Sequence, residues 1–579
     1  MGSQLHSLGL ALSALMLASC AGSAIDNKAA TLPKAANESE AQESADAANI
    51  VVTGSRVRQQ NLEMAAPVSV IGSQAYAPPP PSAPGLSGGW APPYHDEGRD
   101  KFTSFAENSF HIVREAPVST FSIDVDTASY SWVRASLNQN VLPQPAAVRT
   151  EEMVNYFHYD YAPPATTSQP FSTNVAVFPS PWAVGRQLVR IGIKGFEVRR
   201  AERPRANLVF LIDTSGSMQE PNKLPLVQRS LSMLVNELDE RDTVAIVTYA
   251  GSAGTALAPT PVAQKRKILD VINQLGAGGS TAGAEGIRQA YHLAEANLDP
   301  RGVNRVILAT DGDFNVGITD QGELKGYIER ERSKGVFLSV LGFGMGNYND
   351  ALMQALAQNG NGTAAYIDTV QEAKKTLVEE AGSTLFPIAK DVKIQVEFNP
   401  LAVAEYRLIG YETRALNRDD FDNDKVDAGD VGSGQSVTAL YEVVPVGGPL
   451  TNGGSRYSPE IVVTGLRIPR SPQQMELGFV KIRYKLPKSD TSKLISTPID
   501  ASVQFASFEA APRDARFATA VAGFAELLRG GRYNGSLTYD DVLRIAAAAR
   551  GPDEYGYRSE FLQLVRNAKG ARSLAALGQ

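Results

Sequence analysis

The sequence predicts a doubly wound, Rossmann-like α/β domain that is inserted in, or followed by, an antiparallel β-sandwich, with a helical segment at the C-terminus. Three observations carry this reading. Leu208 to Ile212 is apolar without alternation, as in a strand buried on both faces at the centre of a parallel sheet. From there to Ala381, strand-like and helix-like stretches alternate. After Ala381 the alternation stops, and strand-like runs follow one another without helices.

Within the α/β stretch, Leu224–Leu238 has helical spacing, Thr243–Tyr249 reads as a strand, and Lys265–Leu275 and Ala284–Ala296 read as helices. Next come strand Arg305–Thr310, helix Leu324–Lys334, strand Val336–Phe343, helix Asp350–Gln358, strand Ala364–Ile367 and helix Val370–Ala381. Right-handed crossovers would bring the loops after the strands to one carboxyl edge, where open α/β sheets bind ligands. The later strands are Asp391–Phe398, Tyr406–Tyr411, Val437–Val444, Leu477–Leu486 and Ile495–Phe505. Val175–Phe178 and Leu188–Gly195, before the α/β stretch, are strands that can join the sandwich and make the α/β domain an insertion. The C-terminal helices are Arg513–Arg529, Tyr539–Ala549 and Tyr557–Asn567.

The chemistry sits at the strand ends. Asp213, Ser215 and Ser217 alternate in the turn DTSGS, with Gly216 free to let the three oxygens converge. Thr281 lies in the glycine-rich loop GGSTAG, and Asp311 ends the run VILATD before Gly312. Oxygen-only donors suit a hard cation, Mg²⁺ at about 2.0–2.1 Å or Mn²⁺. These three segments, in this order, resemble the von Willebrand factor type A domain and its metal-ion-dependent adhesion site. The resemblance implies metal ligation by Asp213, Ser215, Ser217, Thr281 and Asp311, and recognition of a protein ligand whose acidic side chain completes the metal's coordination. Asp313 is either a second sphere carboxylate or a solvated turn residue.

With 579 residues, the chain exceeds one core, at roughly 100–200 residues per domain. Net charge −7 gives no basic footprint, so nucleic acid is not an expected partner. The single cysteine, Cys20, ends LASC after the short apolar segment Leu8–Ala18. That segment is about half of the ~20 residues needed to span a bilayer. It resembles a bacterial lipobox, which implies a lipid on Cys20 and a membrane attachment; an ordinary signal peptide with an incidental cysteine is the alternative. Ala21 after the cysteine favours the outer membrane by resemblance to bacterial lipoprotein sorting. With one cysteine, no intrachain disulfide can form. Residues 21–100 are rich in Ala, Ser, Pro and Gly and read as a disordered tether.

Two heptapeptides, IVVTGSR at Ile50–Arg56 and IVVTGLR at Ile461–Arg467, resemble the segment that opens the plug of TonB-dependent outer-membrane receptors. They imply docking to a TonB-system or receptor component by strand addition, against the alternative of a chance repeat. The blocks STFSIDVDTASY at Ser119–Tyr130, VRTEEMVNYFHYDY at Val148–Tyr161, IAKDVKIQVEFNP at Ile388–Pro400 and EYGYRSEFLQLV at Glu554–Val565 resemble a family of bacterial envelope lipoproteins with a type A domain. The resulting division is a lipoprotein signal at 1–20, tether at 21–100, a type A-associated block at 101–200, the type A domain at 201–384, sandwich at 385–510 and helices at 511–579. DVDTA at Asp124–Ala128 lacks the fifth residue of an aspartyl-phosphate motif, so Asp124 and Asp126 are expected to bind backbone amides. DDFDNDKVDAGD at Asp419–Asp430 lacks the glycine and final glutamate of a calcium loop.

No enzyme is expected. None of the five histidines falls on a loop at the predicted carboxyl edge, and neither a G-x-S-x-G elbow nor a P-loop is present. The reading is a cell-envelope, lipid-anchored, metal-dependent binding protein facing the periplasm. The alternatives are an accessory in assembly or metal insertion that works with a separate ATPase, and a Mg²⁺-dependent hydrolase.

Overall fold

The computed structural model describes residues 100–577 apart from 167, 280–282, 313–320, 347, 427 and 454–475. The signal, Cys20, the tether up to Arg99, both IVVTG segments, Thr281 and Asp313 lie outside the described residues. Among those described, no helix is long and apolar enough to cross a membrane.

Ahead of the α/β domain the chain forms β1 (His111–Ile112), β2 (Val118–Ser122), α1 (Ala128–Asn138), α2 (Thr150–Asn155), β3 (Phe171–Pro179) and β4 (Gln187–Gly195). The α/β domain comprises β5 (Ala206–Asp213), α3 (Leu224–Glu237), β6 (Thr243–Tyr249), β7 (Ala253–Pro261), α4 (Lys265–Gln274), α5 (Gly283–Ala296), β8 (Val303–Thr310), α6 (Gln321–Ser333), β9 (Val336–Phe343), α7 (Asp350–Asn359), β10 (Ala364–Ile367), α8 (Val370–Lys374) and α9 (Ala381–Leu385). Then come β11 (Pro387–Phe398), β12 (Val403–Ile409), β13 (Ala415–Leu416), β14 (Val431–Gly432), β15 (Ser436–Pro445), β16 (Gly478–Lys485) and β17 (Ser492–Ile499). Helices α10 (Arg513–Arg529), α11 (Tyr539–Ala549) and α12 (Tyr557–Leu577) close the chain.

The α/β sheet has the order β10-β9-β8-β5-β6-β7. It is parallel except for β7, which runs antiparallel at the edge. All eight residues of β5 are buried, as its unbroken apolar run predicts. Phe210 and Ile212 face one layer of helices and Val209 and Leu211 the other. β7 was not expected from the sequence: AGTALAPTP is small and proline-interrupted, and most of its side chains are exposed or half-buried, as befits an edge strand.

The sandwich is built from both sides of the α/β domain, which is therefore an insertion. One sheet runs β1-β12-β15-β4-β3 and the other β13-β2-β11-β16-β17, with β14 paired to β11. Residues about 240 positions apart, such as Lys194 and Ser436, sit in register. Val437, Ala439, Tyr441 and Val443 of β15 point between the sheets, while Leu440 faces α10 to α12 on the outer side. The expected strand Ile495–Phe505 ends at Ile499 and turns over Ala501–Val503, where Asp500 caps the backbone N–H of Ser502.

Buried ion networks join the layers. The expected bond to a backbone amide is found for Asp126, and both Asp124 and Asp126 pair with an arginine. Asp126 accepts from Ala364 N at 2.8 Å, and Arg414 bridges Asp124 at 3.0 Å and Asp126 at 2.9 Å. Arg149 donates to Glu152 at 2.6 Å and to Asp350 of α7 at 2.7 Å, which pins the leading block to the α/β domain. Arg134 of α1 is 1% exposed and holds Asp368, Glu372 at 2.7 Å, Tyr156 OH at 2.9 Å and Glu560 of α12 at 3.2 Å. Replacing one member of a buried ion pair typically costs about 3–5 kcal/mol, because the partner stays buried and uncompensated. Arg134→Met is accordingly expected to lower unfolding stability by about 3 kcal/mol or more. Urea unfolding followed by far-UV circular dichroism checks this, and an unchanged midpoint would contradict it.

Candidate functional site

The site is a consequence of strand order. β5 and β8 are neighbours in parallel register, with Ile212 opposite Ala309, so Asp213 and the Thr310–Asp311 pair leave the sheet side by side at its carboxyl edge. Asp213 is 0% exposed and Asp311 1%. The turn after β5 is held from both sides: Thr214 N donates to Tyr249 O at 2.9 Å, Gly278 N to Thr214 O at 2.7 Å and Gly216 N to Gly279 O at 3.0 Å. These bonds bring the glycine-rich loop to the DTSGS turn as far as Gly279, the last described residue before Thr281.

Within the turn, the Asp213 carboxylate accepts from Ser215 N at 2.9 Å and from the Thr310 hydroxyl at 3.3 Å. The Ser215 and Ser217 hydroxyls lie 3.0 Å apart. Ser215 is buried and Ser217 is exposed, so the donor group runs from the buried sheet edge to solvent. Burial pushes the Asp213 carboxyl above its ordinary range and the Asp311 charge adds to the rise, while hydrogen bonds from Ser215 oppose it. Four of the five predicted residues thus converge, and the fifth lies outside the described residues.

Sequence reasoning missed Lys223. Its Nζ donates to Asp311 Oδ2 at 3.0 Å, and the side chain is 8% exposed. Its stem lies across Gly344, where an added Cβ would come within 2.5 Å of Lys223 Cε and where φ is +75°. Glycine is thus required at 344 on two counts. The donor set suits a hard cation: two buried carboxylates stand beside two clustered hydroxyls, and an ammonium faces one of the carboxylates. Among the described residues no group of three or more His, Cys, Asp or Glu side chains is placed so that it could hold a metal ion. The carboxyl edge of the sheet presents two carboxylates and hydroxyls instead.

A doubly wound sheet with DTSGS after its central strand and TDG after the neighbouring one defines a von Willebrand factor type A domain protein. A sequence model of that domain matches residues 207–380, a second described as von Willebrand factor matches residues 96–190, and one described as Uncharacterized protein YfbK, C-terminal, matches residues 383–571. The chain is 42% identical over 484 residues to YfbK of Escherichia coli K12, covering 83% of this chain and 82% of that protein. It belongs to the YfbK family. More distant relatives include sll0103 of Synechocystis, 25% identical over 55% of this chain and 70% of that protein, and human inter-alpha-trypsin inhibitor heavy chain H4, 29% identical over 28% and 18%. A solved von Willebrand factor type A protein from Catenulispora acidiphila is 15% identical with a TM-score of 0.39, covering 68% of this chain and 89% of that one.

Proposed function

We propose that this protein is a non-enzymatic, lipid-anchored component of the bacterial cell envelope, facing the periplasm from the outer membrane, that binds a protein ligand through a divalent cation. The observation that carries the reading is the convergence of two buried carboxylates and two serine hydroxyls at the carboxyl edge of the sheet. Asp213, Ser215, Ser217, Thr281 and Asp311 would hold Mg²⁺ or Mn²⁺. When bound, the cation supplies a positive charge and a coordination position that a ligand's Asp or Glu can fill.

The protein's own part is positioning. Thr310 and the Ser215 amide fix the Asp213 carboxylate, Lys223 orients Asp311, and Ser217 reaches solvent on the side from which a ligand arrives. The lipid on Cys20, the membrane and docking through Ile50–Arg56 and Ile461–Arg467 belong to the same proposal and rest on the sequence.

Mn²⁺ titration followed by electron paramagnetic resonance tests the site. One bound Mn²⁺ per chain is expected, displaced by Mg²⁺. Ser217→Ala removes a solvent-facing donor without opening the core, so it is expected to weaken Mn²⁺ binding by about tenfold, or ~1.4 kcal/mol, with unfolding unchanged. Absence of bound Mn²⁺ in the wild-type chain would overturn the metal reading.

A further inference from the structure

At the opposite end of β8 from Asp311, the amino edge of the α/β sheet faces the sandwich across a cavity of about 730 Å³. That volume lies in the range of small-molecule sites. Its lining includes Arg305, the third residue of β8, which is 4% exposed. A buried arginine ordinarily carries acidic partners, and here Arg134, Arg149, Arg407 and Arg414 each hold two or more carboxylates. Among the described residues, none lies within ion-pair distance of Arg305. Its Nη1 donates to the Ser339 hydroxyl at 2.6 Å, its guanidinium lies over Phe337 at 5.7 Å, and its Nε has no acceptor among the described residues.

We infer that this cavity is a binding site for a small organic monocarboxylate, whose carboxylate pairs with the guanidinium of Arg305. A planar guanidinium fork matches a carboxylate in two parallel hydrogen bonds, and the pair gains strength where water is excluded. Acidic side chains outnumber cationic ones in the lining, so a singly charged carboxylate meets less repulsion there than a dianion such as phosphate. Leu234, Leu238, Leu385 and Phe386 line the same cavity and suit an apolar body on the ligand. Burial lowers the Arg305 pKa to about 10, which leaves it cationic at neutral pH and expresses the same want of a counter-charge.

The site is independent of the metal site, and the test keeps them apart. Isothermal titration of the full chain, with chelator present and ionic strength matched, uses butyrate and benzoate as probes and acetate and inorganic phosphate as further arms. Butyrate or benzoate is expected to bind at one site per chain, more tightly than acetate and without competition from phosphate. Arg305→Met breaks no ion pair among the described residues, so the variant is expected to fold and to lose at least tenfold in affinity. Arg305→Lys keeps the charge but not the fork and falls between the two. An unchanged far-UV circular dichroism spectrum and urea unfolding midpoint in Arg305→Met confirm that the variant is folded. Equal carboxylate affinity in wild type and Arg305→Met, phosphate binding in preference to carboxylate, or no heat with either probe would each overturn the assignment.

Discussion

Asp213→Ala is expected to abolish the Mg²⁺-dependent rise in thermal stability while leaving a folded protein. A ligand that binds only the native state stabilises it by about 2.7 kcal/mol at one hundred times its dissociation constant. The wild-type chain is therefore expected to show a clear upward shift of Tm on titration with Mg²⁺. Asp213 supplies one of two buried carboxylates, and without it the remaining donors are Asp311, already facing Lys223, and hydroxyls. Removing the side chain leaves the Ser215 amide and the Thr310 hydroxyl short of an acceptor, at about 1–3 kcal/mol for each buried donor. It also relieves the repulsion between Asp213 and Asp311, so the net loss in metal-free stability is expected to stay within that range. Asp213→Asn keeps an acceptor for both donors and separates the two effects. Its metal-free Tm should approach that of the wild type, and its Mg²⁺ response should still be absent. Differential scanning calorimetry with Mg²⁺ and with chelator measures both quantities. A full Mg²⁺ shift in either variant would exclude Asp213 as a ligand.

The second large effect concerns Lys223, and its two consequences have opposite signs. Lys223→Met leaves Asp311 buried without the ammonium that faces it, and breaking a buried pair in this way typically costs about 3–5 kcal/mol. The same ammonium repels a divalent cation at Asp311. At ~4 Å and an effective dielectric of about 20, each pair of unit charges interacts by roughly 4 kcal/mol, so even a partial displacement of the lysine matters. The variant is expected to be less stable in chelator and to bind Mg²⁺ at least about tenfold more tightly, with metal recovering much of the lost stability. Calorimetric titration and thermal unfolding read the two arms separately. A variant that is destabilised and also binds metal more weakly would show that Lys223 supports the cation rather than competing with it.

How much of this was legible in the chain depends on the distance over which each feature is encoded. Asp213, Ser215 and Ser217 are neighbours, and their spacing with Gly216 is enough to read the turn. Asp311 follows from the apolar run before it and the parallel topology, which together fix the strand end. Lys223 could not be found in that way. It pairs with a residue 88 positions ahead, and what aims it is Gly344, 121 residues on from the lysine, whose missing side chain makes room for the lysine stem. Strand patterns report burial and not partners, so they do not distinguish an α/β domain inserted in the sandwich from one that precedes it. The pairing of β4 with β15 decides it. Asp124 and Asp126 illustrate the same limit: their turn was readable, but their bridge to Arg414 spans almost 290 positions. The edge strand β7 escaped because an edge needs little apolar content, and AGTALAPTP has little.

Recognition of a protein through a bound cation is tested most directly by capture of envelope proteins on the chain. The capture is run with Mg²⁺, with chelator, and with Asp213→Asn in Mg²⁺. Metal-bridged recognition predicts partners that are retained only by the wild-type chain with Mg²⁺, and lost again when their contacting Asp or Glu is replaced. The same partners held equally under all three conditions would contradict it and move recognition away from the carboxyl edge of the sheet.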